Sequence, residues 1–533
     1  MRDFSFNLSN KRIYYLLGII LTFLVFLAWI HRFIQDDAFI SFRYAYNLAE
    51  GKGLVWNEGE RVEGYTNFLW TLLISSGIYL KIDPITFSTL LGLFFFVISL
   101  FFTYKLGMVI FESPFPSLVT MILVGTNYTF LSFATGGLET QMQTALFTIG
   151  CYNCLQGIKI HKWSSKRLLS LSLIMGLSLL TRLDSFIMCA VLLLITVYHI
   201  YRDTITLKEK ISKYLILFIP FILLVTPWIL WKLSYYGDVL PNTYYIKVAG
   251  ITSLERGIKY VYLFFKTYLL IPFWFIFFFA IRQLFNKNSM HLHVLITIII
   301  LWLFYVIKIG GDFMEFRFFV PVLPLIFILL NWLIFIFIKT DVLKIILICL
   351  IITGSVYHSQ TFKLNEKDRI EPISELRSHV LNRDQNWRGI GEFLGSVFGK
   401  KDISIATTAA GAIPYFSGLP TIDMYGINDP NIVQKGIVVG TTPGHQIISP
   451  FSYLVEKKVN LIISHPVIIP KSEEASYFPE LPMNPNDVPV DLKIIEISFD
   501  SLYKFLAFYL TPHPAIDEAI TKHNWKVKSF ASR

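Results

Sequence analysis

Two adjacent acids, Asp36 and Asp37, stand where the first apolar run of the chain ends. Neighbouring carboxyls repel, and apolar surroundings disfavour their charged forms, so one of such a pair can hold its proton towards neutrality. That equips one acid as a general base towards a hydroxyl, while the other orients a substrate or binds a cation. The competing reading is an acidic boundary that keeps a helix end in water. Three cations, Arg182, Lys308 and Arg317, lie at the ends of other apolar runs, near Glu139, Asp184 and Asp312. Singly, each could snorkel to the membrane–water interface. Together they resemble a site for an anionic headgroup, since Arg suits forked contacts with phosphate oxygens. Tyr and Trp residues within 44–70 and 235–245 could stack on sugar faces or form an interfacial aromatic belt.

The composition says what must position these groups. Of 533 residues, 54% are hydrophobic and 16% charged, against roughly 25% charged in soluble domains. Mean hydropathy is +0.56. A purely soluble enzyme, a disordered chain and a nucleic-acid binder are excluded. The net charge of +10 gathers in short loops between apolar runs, where it reports membrane orientation. The four cysteines, Cys151, Cys154, Cys189 and Cys349, all lie inside apolar runs and form no disulfide framework.

A spanning helix needs about 20 apolar residues. Runs at 13–34, 85–107, 115–133, 138–157, 168–181, 184–200, 213–234, 260–281, 291–308, 318–338 and 342–357 predict about eleven transmembrane helices. The first reads as an uncleaved helix, because Ala28-Trp29-Ile30-His31-Arg32 offers no small-x-small cleavage site. The stretch Phe68 to Leu80 is short and suits an interfacial segment. Parity supports that reading. With 68–80 not spanning, the basic loops 158–167, 202–213, 282–287 and 339–344 share the side of the N-terminus, and basic loops belong in the cytoplasm. The prediction is a multi-pass protein of the cytoplasmic membrane with its N-terminus inside.

Residues 358–533 form the second predicted domain, after a transmembrane domain of 1–357. This tail is polar and contains no spanning run. Within it 402–426 reads as strand, turn, short helix and strand, and 459–466 and 492–499 as further strands. A small α/β domain on the outer side follows. Its turn Ala409-Ala410-Gly411-Ala412 lacks the spacing of a dinucleotide fingerprint. All the polar clusters named above fall on that same outer side. A transporter or flippase for lipid-linked sugars would instead line a path through the cytoplasmic half. A non-catalytic assembly scaffold would give the convergence of acids and cations no purpose.

Several segments then carry a resemblance. "DDAFISFRYAYNLAEGKGLVWNEGERVEGYTNFLW" (36–70), "ATGGLET" (134–140), "LLTRLDS" (179–185), "YYGDVLPNTYY" (235–245), "GGDFMEFRFFVPVLP" (310–324) and "DMYGINDPNI" (423–432) with Gly444-His445 follow in order. They resemble the GT-C membrane glycosyltransferases, most of all the mycobacterial-type terminal β-(1→2)-arabinofuranosyltransferases and their bacterial relatives. The resemblance implies transfer of a hexosyl or pentosyl unit from a polyprenyl-phosphate donor to an envelope glycan or lipid acceptor at the outer face. It implies that Asp36 or Asp37 is the catalytic base and that 68–80 is an interfacial helix. Arg317, Arg182 and Lys308 become candidates for the donor phosphate, and His445 joins them on resemblance alone. Within the matching motifs Arg43, Glu63, Tyr65, Glu139, Asp184, Asn242, Tyr245 and Asp312 are candidates for substrate contacts. A divalent cation is compatible with paired carboxylates, but no ligand constellation demands one.

Overall fold

The computed structural model describes residues 10–248, 253–273, 290–365, 369–382, 384–399, 401–474 and 492–530. Helices cover every predicted apolar run, except that 274–281 lies outside the described residues. They are α1 Asn10–Ile30, α2 Asp36–Ala49, α3 Phe68–Tyr79, α4 Pro84–Phe111, α5 Pro114–Gly125 and α6 Tyr128–Ser132. Next come α7 Thr140–Lys159, α8 Ser165–Thr181, α9 Phe186–Arg202, α10 Leu207–Tyr236, α11 Asn242–Val248 and α12 Leu254–Thr267. The set closes with α13 Met290–Lys308, α14 Leu323–Phe337 behind a 3-10 turn at Arg317–Val322, and α15 Asp341–Thr361. Among the described residues seven segments are long and apolar enough to cross a membrane. The molecule is thus a polytopic helical membrane protein carrying a C-terminal layer. At about 1.5 Å per residue, the twelve residues of α3 rise roughly 18 Å, short of a hydrocarbon core of about 30 Å. Instead α3 packs its Trp70 and Ile74 inward.

Beyond α15 the chain forms short helices on a seven-stranded mixed sheet. Its strands include β1 Ile405–Thr407 and β2 Thr421–Asp423 around a short helix at Ala412–Ser417, as the sequence pattern predicts. The strand Leu461–Ser464 lies parallel to β1, and Lys493–Ser498 pairs antiparallel with Tyr503–Tyr509. The last of these partners, "YKFLAFY", is buried along its length, so it lacks the alternation that would have marked it in the sequence.

The layer is tied to one end of the helix bundle by polar contacts between distant residues. Asp36 accepts the main-chain N–H groups of Gly411 (3.1 Å) and Ala412 (2.8 Å). The Phe313–Glu315 main chain bonds to Glu371 in a parallel bridge. Asn242 donates to the carbonyls of Gly426 and Ile427. At the opposite ends Lys159 pairs with Glu112 at 2.6 Å and Lys213 with Asp203 at 3.0 Å.

Candidate functional site

The helix ends and the layer enclose a cavity of about 310 Å³. Four segments build it. The first is the start of α2, where Gln35 accepts the Asp37 N–H and caps the helix. Asp37 is half-buried and lines the cavity, with Ser41 one turn on. Successive residues of a helix point about 100° apart, so Asp36 faces the layer instead and does not line the space. Of the two acids named from the sequence, Asp37 lines the cavity and Asp36 does not.

The second segment is the loop before α7. Its Glu139 is buried and accepts the Asn67 amide at 2.7 Å. The third is the turn from α8 to α9. There Arg182 grips Asp184 through Nε (3.0 Å) and Nη2 (2.7 Å), and reaches Glu139 through Nη1 at 2.6 Å. Burial alone would raise the Glu139 carboxyl, but the Arg182 and Arg317 guanidiniums and the Asn67 and Arg182 hydrogen bonds outweigh it and hold it below its usual value. Arg182 is thus neutralised twice over by carboxylates, which makes it a scaffold of the wall.

The fourth segment is the turn after α13. Gly311 has φ +75°, and a Cβ there would press into the Tyr260 ring, so the turn requires glycine. It presents Asp312, whose Oδ2 accepts Arg317 Nε at 2.8 Å. The sequence spacing would put this pair one to two helical turns apart. The observed connection is a tight turn ending in Phe316 at φ +44°, which doubles the chain back so that the pair meets directly. The two terminal guanidinium nitrogens of Arg317 carry no protein hydrogen bond among the described residues. Arg182 and Arg317 also flank the Phe318 ring, at 5.7 Å and 5.4 Å from its centre.

Lys247, on the short helix α11, completes the lining and was not singled out from the sequence. It is half-buried and makes no ion pair among the described residues. Burial lowers its ammonium from the usual value, with Arg317 and Arg182 acting in the same direction against Asp312 and Asp37. Asp37 is shifted the other way. Burial raises it, as do Asp312 and Glu139, while Lys247 and Arg317 oppose them. Asn67 and Tyr305 also line the space unforeseen. The only signal for Lys247 was a cation within an otherwise uncharged aromatic stretch, 239–248.

Other expected site residues lie elsewhere. Lys308 is exposed at the end of α13, outside the cavity, because its helix turns it away from Gly311. Arg43 is consumed by structure: it donates to the carbonyls of Trp56 (2.7 Å), Pro414 (2.5 Å) and Leu419 (2.8 Å), pinning α2 to the layer. His445 stands behind the wall, edge-on to Phe313 and Tyr425, and burial pushes it down to about 4. Tyr65 does line the cavity, its hydroxyl bonded to that of Tyr236. Glu63, Asn242 and Tyr245 line a neighbouring cleft. Among the described residues no group of three or more His, Cys, Asp or Glu side chains is placed to hold a metal ion.

Comparison with known proteins bears on this arrangement. A family model described as a domain of unknown function (DUF8728) matches residues 374–513. The terminal β-(1→2)-arabinofuranosyltransferase of Mycobacterium tuberculosis is 26% identical over 262 residues, 46% of this chain and 39% of that protein. The chain thus matches about two-fifths of that relative's length. ArnT of Cupriavidus metallidurans, solved with bound undecaprenyl phosphate, superposes with a TM-score of 0.59 at 10% identity, over 94% of this chain and 98% of the other. The Archaeoglobus fulgidus oligosaccharyltransferase AglB, solved with an inhibitory peptide and a dolichol-phosphate, superposes with a TM-score of 0.51 at 10% identity, over 86% and 70%. The chain shares its fold with ArnT and AglB. The resemblance carried by the sequence motifs is confirmed.

Proposed function

We propose that this chain is a glycosyltransferase that moves a sugar from a polyprenyl-phosphate donor to an envelope acceptor at the outer face of the cytoplasmic membrane. The observation that carries the reading is one cavity at the helix ends where a carboxylate, Asp37, faces two cations with capacity to spare, Lys247 and Arg317. The acceptor hydroxyl gives its proton to Asp37 as its oxygen bonds to the anomeric carbon. The bond from that carbon to the phosphate oxygen breaks, and the phosphate leaves with the electron pair. Lys247 and the outer nitrogens of Arg317 meet the negative charge that builds there. Arg182, Glu139 and Asp184 hold the wall in place. Burial raises the Asp37 carboxyl, which strengthens it as an acceptor of the hydroxyl's proton.

Eleven spans, a cytoplasmic N-terminus and an extracytoplasmic domain from residue 358 onward complete the reading. Deleting the gene and measuring lipid-linked sugars and envelope glycans by mass spectrometry tests it. A polyprenyl-phosphate sugar should accumulate while a glycan or lipid loses one kind of sugar unit. Unchanged pools of both would overturn it.

A further inference from the structure

Asp312 and Arg317 line the cavity, and the four residues between them do not. One of the four, Glu315, is a buried carboxyl that the chemistry above leaves without a task. We propose that Glu315, held by His358, is a positioning residue for the donor phosphate: it fixes the turn from which Arg317 reaches the cavity. The proposal rests on the glycosyltransferase reading above.

Three observations carry it. First, the Glu315 carboxyl ties the turn to two other elements at once. Its Oε1 accepts from His358 Nε2, near the end of α15, at 2.9 Å, and its Oε2 accepts the Ile373 N–H at 2.8 Å. Ile373 opens a nine-residue helix of the layer, Ile373–Leu381, and the start of a helix favours a carboxylate. The other ring nitrogen of His358, Nδ1, is buried with no hydrogen-bond partner among the described residues. Placing the ring hydrogen on Nε2 gives Glu315 its donor and leaves no buried N–H without an acceptor. The ring itself is clamped, stacked on Tyr268 at 4.1 Å and on Phe362 at 4.9 Å between centres. Second, the next residue is held in an unfavourable conformation. Phe316 lies in the left-handed region at φ +44°, which a bulky side chain adopts only where its surroundings impose it. Its ring stands edge-on to those of Tyr260 and Phe264, each at 5.4 Å, and 5.6 Å from that of His358. Glu315 and Phe316 thus secure the turn around one histidine, and the turn brings Arg317 Nε to Asp312. Third, a buried carboxyl is costly to desolvate, and an apolar side chain would fill its space at less cost. What the charge adds is direction, because bonds to both oxygens define where the turn lies. A contact to a phosphate needs that definition, since a displacement of about 1 Å is enough to weaken it.

The test titrates the full chain in lipid nanodiscs with farnesyl phosphate, a short polyprenyl phosphate. Glu315→Gln keeps the shape but cannot accept at both ends, and His358→Phe keeps the stacked ring but loses the donor. Each should raise the dissociation constant about fivefold or more. His358→Gln can still donate and should stay within about twofold of wild type. In an Arg317→Lys background, Glu315→Gln should add less than about twofold, because it acts through a fork that lysine has already lost. A merely structural role would lower the amount of chain that binds at saturation and leave the dissociation constant unchanged. That result overturns the proposal, as does a full fivefold loss on top of Arg317→Lys, or no binding by the wild-type chain. Failure of both Glu315→Gln and His358→Phe to fold overturns it too, since the anchor would then hold the fold rather than the turn. Turnover of a polyprenyl-phosphate sugar by the wild-type chain is measured separately. The expected binding pattern without any turnover would sink the enzymatic reading while leaving Glu315 the anchor of a lipid-phosphate site.

Discussion

Asp36 and Asp37 are neighbours with opposite duties, and substitutions can separate them. Asp37→Asn keeps the shape and removes the basicity, so transfer should fall about 10²- to 10⁴-fold with the fold intact. Wild-type rates for that variant in a donor assay would end its assignment as base. Asp36 is different because its carboxyl is a clamp. Burial pushes it from the ordinary 3.8 up to about 7, although its two backbone donors work against that shift. A carboxyl raised by folding binds more protons in the folded state, so its contribution to stability is lost as pH rises from about 4 through about 7. Glu63 and Glu371 are raised by burial to about 7 and about 8 and act in the same direction. The melting midpoint in detergent should therefore be lower at pH 8 than at pH 5, and Asp36→Asn should shrink that difference. An identical difference in the variant would refute the clamp's titration. At Arg317, lysine keeps the charge but loses the planar fork that binds Asp312 and leaves two nitrogens outward. Arg317→Lys should insert normally yet raise the donor KM or lower turnover several-fold, and normal donor kinetics would return Arg317 to a structural role.

At the scale of elements, the start of α2 and the turn at 409–412 are fitted to each other. A Cβ on Gly411 would meet the Asp36 main-chain carbonyl and come within 2.6 Å of its Oδ2. Gly411→Ala should push the layer off α2, at a cost of about 1–3 kcal/mol typical of overpacking. Limited proteolysis should then cut the C-terminal layer faster while the helices stay protected; unchanged cleavage would show that the joint tolerates the methyl. Most elements were legible in the sequence because each rests on local pattern. Apolar runs marked the helices, and the shortness of 68–80 marked α3. The site was legible only in part. Asp37, Arg182, Glu139, Asp184, Asp312 and Arg317 were found through position at helix ends. The choice of Asp37 over Asp36 depends on helix phase relative to a partner 375 positions away, which no local pattern encodes. Lys247 was hidden for the same reason, since only packing against 443–444 and the 311–317 turn brings it inward.

The whole molecule makes a prediction about sides. Ser165 and Ser472 are both exposed, one at the start of α8 within the basic stretch 158–167 and the other in the C-terminal layer. Cysteines placed there, in a chain whose exposed Cys349 is first replaced by Ser, should label from opposite faces of the membrane. Labelling from the same face would break the parity that puts the cavity outside. The polar groups add to this picture at a larger scale. The Arg182 cluster, the Asp312–Arg317 pair and the Asp36 clamp all sit at the layer-facing ends of their helices, whereas the opposite ends carry the lysine pairs with Glu112 and Asp203.

The Asp36 clamp also has a history in time. Its acceptor is made 375 residues before the Gly411 donor, and ribosomes add about 5–20 residues per second. Roughly 20 to 75 seconds of synthesis therefore separate the two, and through that interval α2 has no layer to lean on. Glu315 repeats the dependence on a shorter clock. The turn that carries Asp312 and Arg317 is fastened by Glu315 to His358 at 2.9 Å and to the Ile373 N–H at 2.8 Å, both downstream. The groups that line the cavity are thus laid down first and fastened last, so a nascent chain holds the parts of the cavity before it holds their arrangement.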